Sequence, residues 1–143
     1  MSLQVLMSLQ GETGSPMRRV LLVEDEALVA MIAADSLNEL GYDVTEVGTA
    51  RAALDCAHSD CAKFDFAVID IGLPDRPGEH LISDLRKLCP DLPIIVASGY
   101  GEGELRRKFE AYDRFAFLNK PYEQTSLRAA INSLGLAEQP RVG

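Results

Sequence analysis

The chain has 143 residues, of which 47% are hydrophobic and 6% are aromatic, and it contains no Trp. This composition is typical of one globular domain with an aliphatic core and excludes a disordered or fibrous chain. A formal net charge of -8 argues against unaided binding to DNA, RNA or anionic membranes, because phosphate binding depends on clustered Lys and Arg. If the protein handles phosphate, we expect a cation to assist.

The sequence shows neither a signal-peptide pattern over residues 1–17 nor a membrane-span pattern. Residues 1–17 lack the continuous apolar core of a signal peptide, and no stretch approaches the ~18 apolar residues of a membrane span. We expect residues 1–17 to be a flexible leader, added during cloning, with the natural start at Met17. One domain is predicted over residues 18–136, followed by a short tail over residues 137–143.

The three cysteines, Cys56, Cys61 and Cys89, form an odd set without a CxxC pair, and the chain has only two His. A zinc site is therefore not expected, and we predict reduced thiols that are buried or half-buried. Reduced thiols in turn indicate a reducing compartment.

The first half of the chain alternates between strand and helix patterns. Residues 18–23 form an apolar run without alternation, which predicts a strand covered on both faces. A helical period follows, with Leu28 and Ile32 among its apolar positions, until Gly41 supplies a left-handed stop. Residues 43–47 alternate like a strand near a sheet edge, and Thr49 is the expected cap of a short helix over residues 50–57.

The second half continues this alternation. A run over residues 66–69 is followed by a loop rich in Gly and Pro, which predicts another doubly covered strand. The further strands and helices are predicted at residues 78–88, 94–97, 102–112, 115–118 and 123–134. Five strands that alternate with five helices predict an α/β fold, with a parallel sheet, right-handed crossovers and helices on both faces.

Polar side chains follow four of the predicted strands, at the point where each strand ends. They are Glu24 and Asp25, then Asp70, then Ser98, then Lys120. The carboxyl ends of parallel strands meet at the edge of the sheet where ligands bind, so these side chains are expected to lie together. Taken singly, each has an ordinary explanation as a helix cap, a turn hydroxyl or a surface lysine. Their occurrence at successive strand ends is what indicates a site.

The chemistry of this group of side chains favours phosphoryl transfer. Two carboxylates ~5 Å apart repel by about 3 kcal/mol at an effective dielectric near 20, so the group favours a divalent cation. Oxygen ligands without His or Cys select Mg²⁺, which leaves room for a phosphoryl group. The lysine amine and the serine hydroxyl add donors for phosphoryl oxygens. The residues therefore predict a site that forms and holds an aspartyl phosphate.

Over about residues 19–136 the sequence resembles the receiver domain of two-component response regulators. The matching motifs are Leu21-Leu22-Val23-Glu24-Asp25-Glu26, Val68-Ile69-Asp70-Ile71-Gly72-Leu73-Pro74-Asp75, Ile94-Ile95-Val96-Ala97-Ser98-Gly99 and Lys120-Pro121-Tyr122. The resemblance implies a flavodoxin-like fold whose five parallel strands have the order 2-1-3-4-5.

The resemblance also implies a role for each site residue. Asp70 would be the phosphoacceptor, and Asp25 and Asp70 would bind Mg²⁺ together with the Gly72 carbonyl. Glu24 would contribute to the Mg²⁺ site through water. Lys120 would pair with the phosphoryl group, after a tight turn that implies a cis Lys120–Pro121 peptide.

The resemblance further implies a conformational switch. Ser98 would be the switch hydroxyl and Phe117 would take the place of the switch aromatic. The stretch Ser98-Gly99-Tyr100-Gly101 departs from the commoner pattern and is similar to a subgroup of single-domain receivers with a Phe-Ala-Thr-Gly-Tyr signature. We expect the Tyr100 loop to shift together with Phe117.

The function implied is a stand-alone cytoplasmic receiver rather than a conventional turnover enzyme. It would take a phosphoryl group from a sensor histidine kinase or a histidine phosphotransfer protein, hydrolyse it slowly, and change which downstream protein it binds. The alternative is a docking module that needs no phosphate. The complete acidic pocket argues against this alternative, because a purely structural domain has no reason to keep an unfavourable cluster of acids. A haloacid-dehalogenase-like phosphatase would need an acid where Gly72 stands, and a flavodoxin would need a phosphate-binding loop after the first strand.

Overall fold

The computed structural model describes residues 18–99, 107, 109 and 114–136. The strands within this part of the chain are β1 Arg18–Val23, β2 Tyr42–Val47, β3 Phe66–Asp70, β4 Ile94–Ser98 and β5 Phe115–Asn119. The helices are α1 Ala27–Glu39, α2 Ala50–Ser59, a 3-10 turn at Cys61–Lys63, α3 Gly78–Leu88 and α4 Gln124–Ser133. The helix predicted over residues 102–112 lies outside the described residues, apart from Arg107 and Phe109, which are helical.

The five strands form one parallel sheet in the order β2-β1-β3-β4-β5, as predicted. Strands β3, β4 and β5 each continue one residue further than the sequence pattern indicated. Asp70 pairs with Ala97, and Ser98 pairs with Asn119. Because backbone pairing extends through these positions, Asp70 and Ser98 are the last residues of their strands rather than the first residues of loops.

Helices cover both faces of the sheet, which explains the apolar runs without alternation. On β1, Val20 and Leu22 pack into a core with α1 and α4, whereas Leu21 and Val23 pack into a second core with α2 and α3. All five residues of β3 are buried, so the predicted double coverage of this strand is confirmed. No helix among the described residues has both the length and the apolar character needed to span a membrane.

Helix α1 buries a different face from the one that its large apolar residues suggest. Its buried residues are Ala30, Ala33, Ala34 and Leu37. Leu28, Met31 and Ile32 are instead 63%, 52% and 53% exposed. Small side chains on the inner face allow α1 to approach the sheet closely, so the large residues remain outside. The predicted left-handed stop after the helix is confirmed, with φ of 99° at Gly41.

The prediction of reduced thiols is wrong for two of the cysteines. Cys61 and Cys89 form a disulfide, with their Cα atoms 5.6 Å apart, and Cys56 is free. The bond joins the 3-10 turn after α2 to the residue that follows α3. A sequence separation of 28 residues conceals this proximity, which arises only when α2 and α3 pack on the same face. The cysteine argument for a reducing compartment therefore no longer holds.

Candidate functional site

The carboxyl end of the sheet brings three carboxylates together. Glu24 and Asp25 directly follow β1, Asp70 ends β3, and these two strands are neighbours in the sheet. One oxygen from each of the three carboxylates lies within 4.8 Å of the other two. Glu24 and Asp70 are 3% and 5% exposed, whereas Asp25 faces solvent. The site is thus a partly buried acidic pocket with one open side.

Lys120 brings a positive charge into this pocket. Its Nζ lies 3.1 Å from Glu24 Oε1 and 3.3 Å from Asp70 Oδ2. Strand β4 separates β5 from β3, so the long lysine side chain has to reach across one strand to make these contacts. The Lys120–Pro121 peptide is cis, and both this bond and the reach of Lys120 to Asp70 were predicted from the resemblance.

Three donors in the described part of the chain hold Glu24. Oε1 accepts hydrogen bonds from the Tyr122 hydroxyl at 3.0 Å and from Lys120, and Oε2 accepts one from the Glu26 amide at 3.2 Å. In the sequence, Tyr122 belongs to the motif Lys120-Pro121-Tyr122, and the resemblance implies no role for it. The signal that could have indicated one is a hydroxyl-bearing aromatic residue two positions after the pocket lysine.

Burial and charge act in opposite directions on the ionisable groups of the pocket. Burial raises the pKa of Glu24, and the Glu26 amide and Lys120 only partly oppose this effect. Burial by itself lowers the pKa of Lys120, but the carboxylates of Glu24 and Asp70 outweigh it, so this pKa lies above its ordinary value. Burial, followed by the charge of Glu24, raises the pKa of Tyr122 far beyond its usual range. Tyr122 is therefore a permanent hydrogen-bond donor.

The loop after β3 is fixed at both of its ends. The Gly72 amide donates to Asp70 Oδ1 at 3.0 Å, and the Gly78 amide donates to the Ile71 carbonyl at 3.2 Å. A Cβ at position 78 would lie 2.3 Å from the Ile71 Cα, so this close approach requires glycine. Between these contacts, Asp75 accepts hydrogen bonds from the Ala50 and Arg51 amides, at 2.9 and 3.1 Å, at the start of α2.

The predicted switch residues lie on β4 and β5: Ser98 ends β4, the strand next to β3, and Phe117 lies in β5. The Ser98 carbonyl accepts a hydrogen bond of 2.8 Å from the Lys120 amide, which ties the end of β4 to the pocket lysine. Phe117 pairs with Val96 across β4 and β5 and packs, half-buried, against the core on the α2 and α3 side. Tyr100 lies outside the described residues.

The donor set of the pocket fits Mg²⁺. Glu24, Asp25 and Asp70 offer carboxylate oxygens without any His or Cys, and a small hard cation with few protein ligands prefers such donors. Asp25 provides the exposed side on which water and a phosphoryl oxygen could complete the coordination shell.

A parallel sheet of this order, with carboxylates and a lysine at its carboxyl edge, defines the receiver class of phosphorylation-dependent signalling domains. The family model of the response regulator receiver domain matches residues 20–132, and the chain belongs to this family. Receiver domains generally accept phosphoryl groups from histidine kinases and bind Mg²⁺ in their acidic pocket.

The chain is similar to segments of larger proteins of different kinds. It is 35% identical over 115 residues to sensor kinase CckA of Brucella abortus, in a match that covers 80% of this chain and 12% of that protein. It is 32% identical over 117 residues to transcriptional regulatory protein PdtaR of Mycobacterium tuberculosis, in a match that covers 80% of this chain and 55% of that protein. The chain thus spans less than two thirds of either relative.

Solved structures agree with the fold. A response regulator receiver domain protein from Clostridium thermocellum has a TM-score of 0.76 at 21% identity, with 82% of this chain and 94% of that chain covered. A response regulator receiver protein from Sinorhizobium medicae has a TM-score of 0.73 at 26% identity, with the same coverage of 82% and 94%.

Proposed function

We propose that this chain acts as a stand-alone receiver that accepts a phosphoryl group on Asp70, hydrolyses it slowly, and signals through the partner that it binds. The observation that carries the proposal is the Lys120 ammonium, 3.3 Å from Asp70 Oδ2, inside a cluster of three carboxylates. A nucleophile, a cation and an acidic cluster then meet at one edge of the sheet, where a donor can reach them.

The contacts of Asp70 suggest which of its oxygens reacts. The Gly72 amide holds Oδ1, which fixes the rotation of the carboxylate, whereas Lys120 approaches Oδ2 from the side where phosphoryl oxygens would lie. Oδ2 would attack the phosphorus of a phosphohistidine, so that an oxygen–phosphorus bond forms and the phosphorus–nitrogen bond breaks. The imidazole leaves and takes up a proton, and Lys120 pairs with a phosphoryl oxygen.

The Mg²⁺ that receiver domains bind would be held here by Asp25, Asp70 and the Gly72 carbonyl, with Glu24 acting through water. When bound, it supplies positive charge that offsets the charge of the phosphoryl oxygens. The protein contributes the orientation of Asp70 and the second cation, Lys120. Hydrolysis by water then breaks the phosphorus–oxygen bond and returns the carboxylate.

Two buried carboxylates also argue against a purely structural docking module. Burying a charged carboxylate is costly unless it is paired, and among the described residues Glu24 and Asp70 share one lysine, Lys120. A surface that only bound a partner would gain nothing from this arrangement. A phosphoacceptor needs it, because the same charges bind the cation.

The assignment of Asp70 is tested by replacing it with Asn. We expect Asp70→Asn to abolish the mass gain of one phosphoryl group that a small acyl phosphate produces in the presence of Mg²⁺, without loss of the fold. The matched control is Asp55→Asn, which removes an exposed carboxylate on α2. Chelation of Mg²⁺ should block labelling of the unchanged protein. Full labelling of Asp70→Asn would move the phosphoacceptor to another acid.

We further propose that phosphorylation is communicated through Ser98 and Phe117. When Ser98 turns to the phosphoryl group, space opens for Phe117 to turn inward, and the Tyr100 loop shifts with it. With a beryllofluoride mimic of the phosphoryl group, amide-exchange changes should concentrate in residues 98–122 and spare residues 27–40. Changes confined to residues 27–40 would contradict this route.

The partner that we propose is a sensor histidine kinase or a histidine phosphotransfer protein, in the cytoplasm, acting on the receiver unit of residues 18–136. Its docking surface would include the exposed face of α1 formed by Leu28, Met31 and Ile32, because α1 begins directly beside the acidic pocket. A donor that brings a phosphohistidine to Asp70 therefore has to cover the start of this helix.

The downstream partner would be a protein, since the net charge of -8 disfavours direct binding of nucleic acid or anionic membrane.

A further inference from the structure

Glu24 depends on a partner that is shared with another group. Lys120 contacts both Glu24 Oε1 and Asp70 Oδ2, at 3.1 and 3.3 Å. If Asp70 becomes phosphorylated, the ammonium is needed by the phosphoryl oxygens. Glu24 is 3% exposed, so solvent cannot replace the contact that it would lose. Some other group has to keep this buried carboxylate in place through the reaction.

The Tyr122 hydroxyl meets this requirement. It donates to the same oxygen, Glu24 Oε1, at 3.0 Å, whereas Lys120 divides its contacts between Glu24 and Asp70. Tyr122 is 3% exposed and belongs to the core that α1 and α4 share, together with Leu127 and Leu118. Because packing fixes the ring, the hydroxyl has a fixed position. The Glu26 amide holds the other oxygen, so the plane of the carboxylate is defined at both ends.

We propose that Tyr122 is a positioning residue for the cation site, which holds the Glu24 carboxylate oriented toward Asp25 and Asp70 while Lys120 exchanges partners. The inference rests on the proposed function, because it takes the acidic pocket to be a Mg²⁺ site. It assigns a role to a hydroxyl that lies outside the set of residues expected to touch Mg²⁺ or the phosphoryl group. Donors behind metal-site carboxylates commonly contribute tenfold or more to metal affinity.

The first test compares Mg²⁺ affinity, measured by calorimetry, in the unchanged protein and in Tyr122→Phe. We expect affinity to fall about tenfold, because the freed carboxylate has to be ordered when the cation binds. Tyr42→Phe is the matched control, since it removes a hydroxyl from an equally buried ring that stacks edge-on against Phe66, remote from the pocket. This control should bind Mg²⁺ normally. Equal or tighter binding by Tyr122→Phe would overturn the proposal.

The second test asks whether Tyr122 acts through Glu24. In a double-mutant cycle, Tyr122→Phe should lose most of its effect on Mg²⁺ affinity once Glu24→Gln is present. Effects that simply multiply would indicate a general structural role and would overturn the proposal. Melting temperatures without metal report whether each variant is folded.

A third measurement remains informative if a substitution lowers stability. In labelling by an acyl phosphate, Tyr122→Phe should raise the Mg²⁺ concentration for half-maximal rate about tenfold and leave the rate at saturating Mg²⁺ nearly unchanged. A lower maximal rate with an unchanged Mg²⁺ requirement would count against positioning. Failure of the unchanged protein to bind Mg²⁺ would instead refute the metal site of the proposed function, so the two failures can be told apart.

Discussion

The Asp75 carboxylate caps a helix to which it is not adjacent in sequence. It accepts two amide hydrogen bonds at the start of α2, where the helix also has its own cap in the Thr49 hydroxyl, which accepts from the Ala52 amide at 3.0 Å. The bond to the Ala50 amide is the main reason why the pKa of Asp75 lies below its ordinary value. Asp75 thus ties the loop that carries Gly72 to α2.

This lowered pKa predicts a pH dependence of stability. A carboxyl group with a lowered pKa in the folded state stabilises the protein fully above its unfolded pKa, and this contribution is lost as pH falls through the folded value. The melting temperature of Asp75→Asn should therefore be a few degrees lower than that of the unchanged protein at neutral pH. The difference should begin to shrink below about pH 4, the ordinary pKa of an Asp carboxyl in the unfolded chain, and should disappear as pH falls through the lower pKa of the folded state. A difference that stays constant down to pH 3 would show that charge plays no part.

Single-residue contacts of this kind could not be predicted from the sequence. Tyr122 and Glu24 are 98 residues apart, and Asp75 and Ala50 are 25 apart. No local pattern reports such contacts, because they exist only after the strands and helices have packed. The residues at strand ends could be predicted to lie together, since parallel strands place their carboxyl ends at a common edge.

At the scale of the elements, strands were easier to predict than helix faces. In an α/β protein, a short apolar run without alternation is explained by a strand that is covered on both faces of a parallel sheet. All such runs in this sequence form strands. Helix α1 offers both small and large apolar residues, and spacing alone does not indicate which set faces the sheet. Its inner face is built around Ala30, Ala33 and Ala34, so three large apolar side chains remain exposed.

Because these side chains are exposed, we predict that replacing them impairs phosphotransfer from a protein donor but not from a small phosphodonor. Leu28, Met31 and Ile32 lie three and four positions apart and therefore on one side of α1. Leu28→Gln and Ile32→Gln should each slow transfer from the cognate phosphohistidine protein about tenfold, since buried apolar anchors dominate such interfaces.

Labelling by a small acyl phosphate separates docking from chemistry. It should proceed normally in Leu28→Gln and Ile32→Gln, because the acidic pocket is intact in both. Asn38→Ala, an exposed position at the far end of α1, serves as the control and should behave like the unchanged protein with both donors. Equal losses with both donors would place the defect in the pocket rather than in docking.

At the scale of the whole molecule, the disulfide is the feature that changes the expected stability most. Closing a loop between residues 28 apart restricts the unfolded chain and stabilises the fold by about 3 to 4 kcal/mol. We expect the double variant Cys61→Ser with Cys89→Ser to melt about 10 °C lower than the unchanged protein. Reductant should lower the melting temperature of the unchanged protein in the same way.

The remaining cysteine provides the control for this experiment. Cys56→Ser removes a half-buried free thiol and should leave the effect of reductant intact. Phosphorylation of Asp70 by an acyl phosphate should persist in the reduced protein, because the disulfide lies at the other end of β3 from the acidic pocket. A melting temperature that reductant does not change would contradict the stabilising role of the bond.

Helix α2 is fastened to its neighbour at both of its ends. Asp75, just before α3, holds the first amides of α2, and Cys89, just after α3, is bonded to Cys61, just beyond the last turn of α2. The two helices and the intervening β3 therefore form a frame whose parts have little freedom to slide past one another. We expect a rearrangement that follows phosphorylation to be taken up on the other side of Asp70, where β4 and β5 lead to α4, while α2, β3 and α3 keep their relative positions.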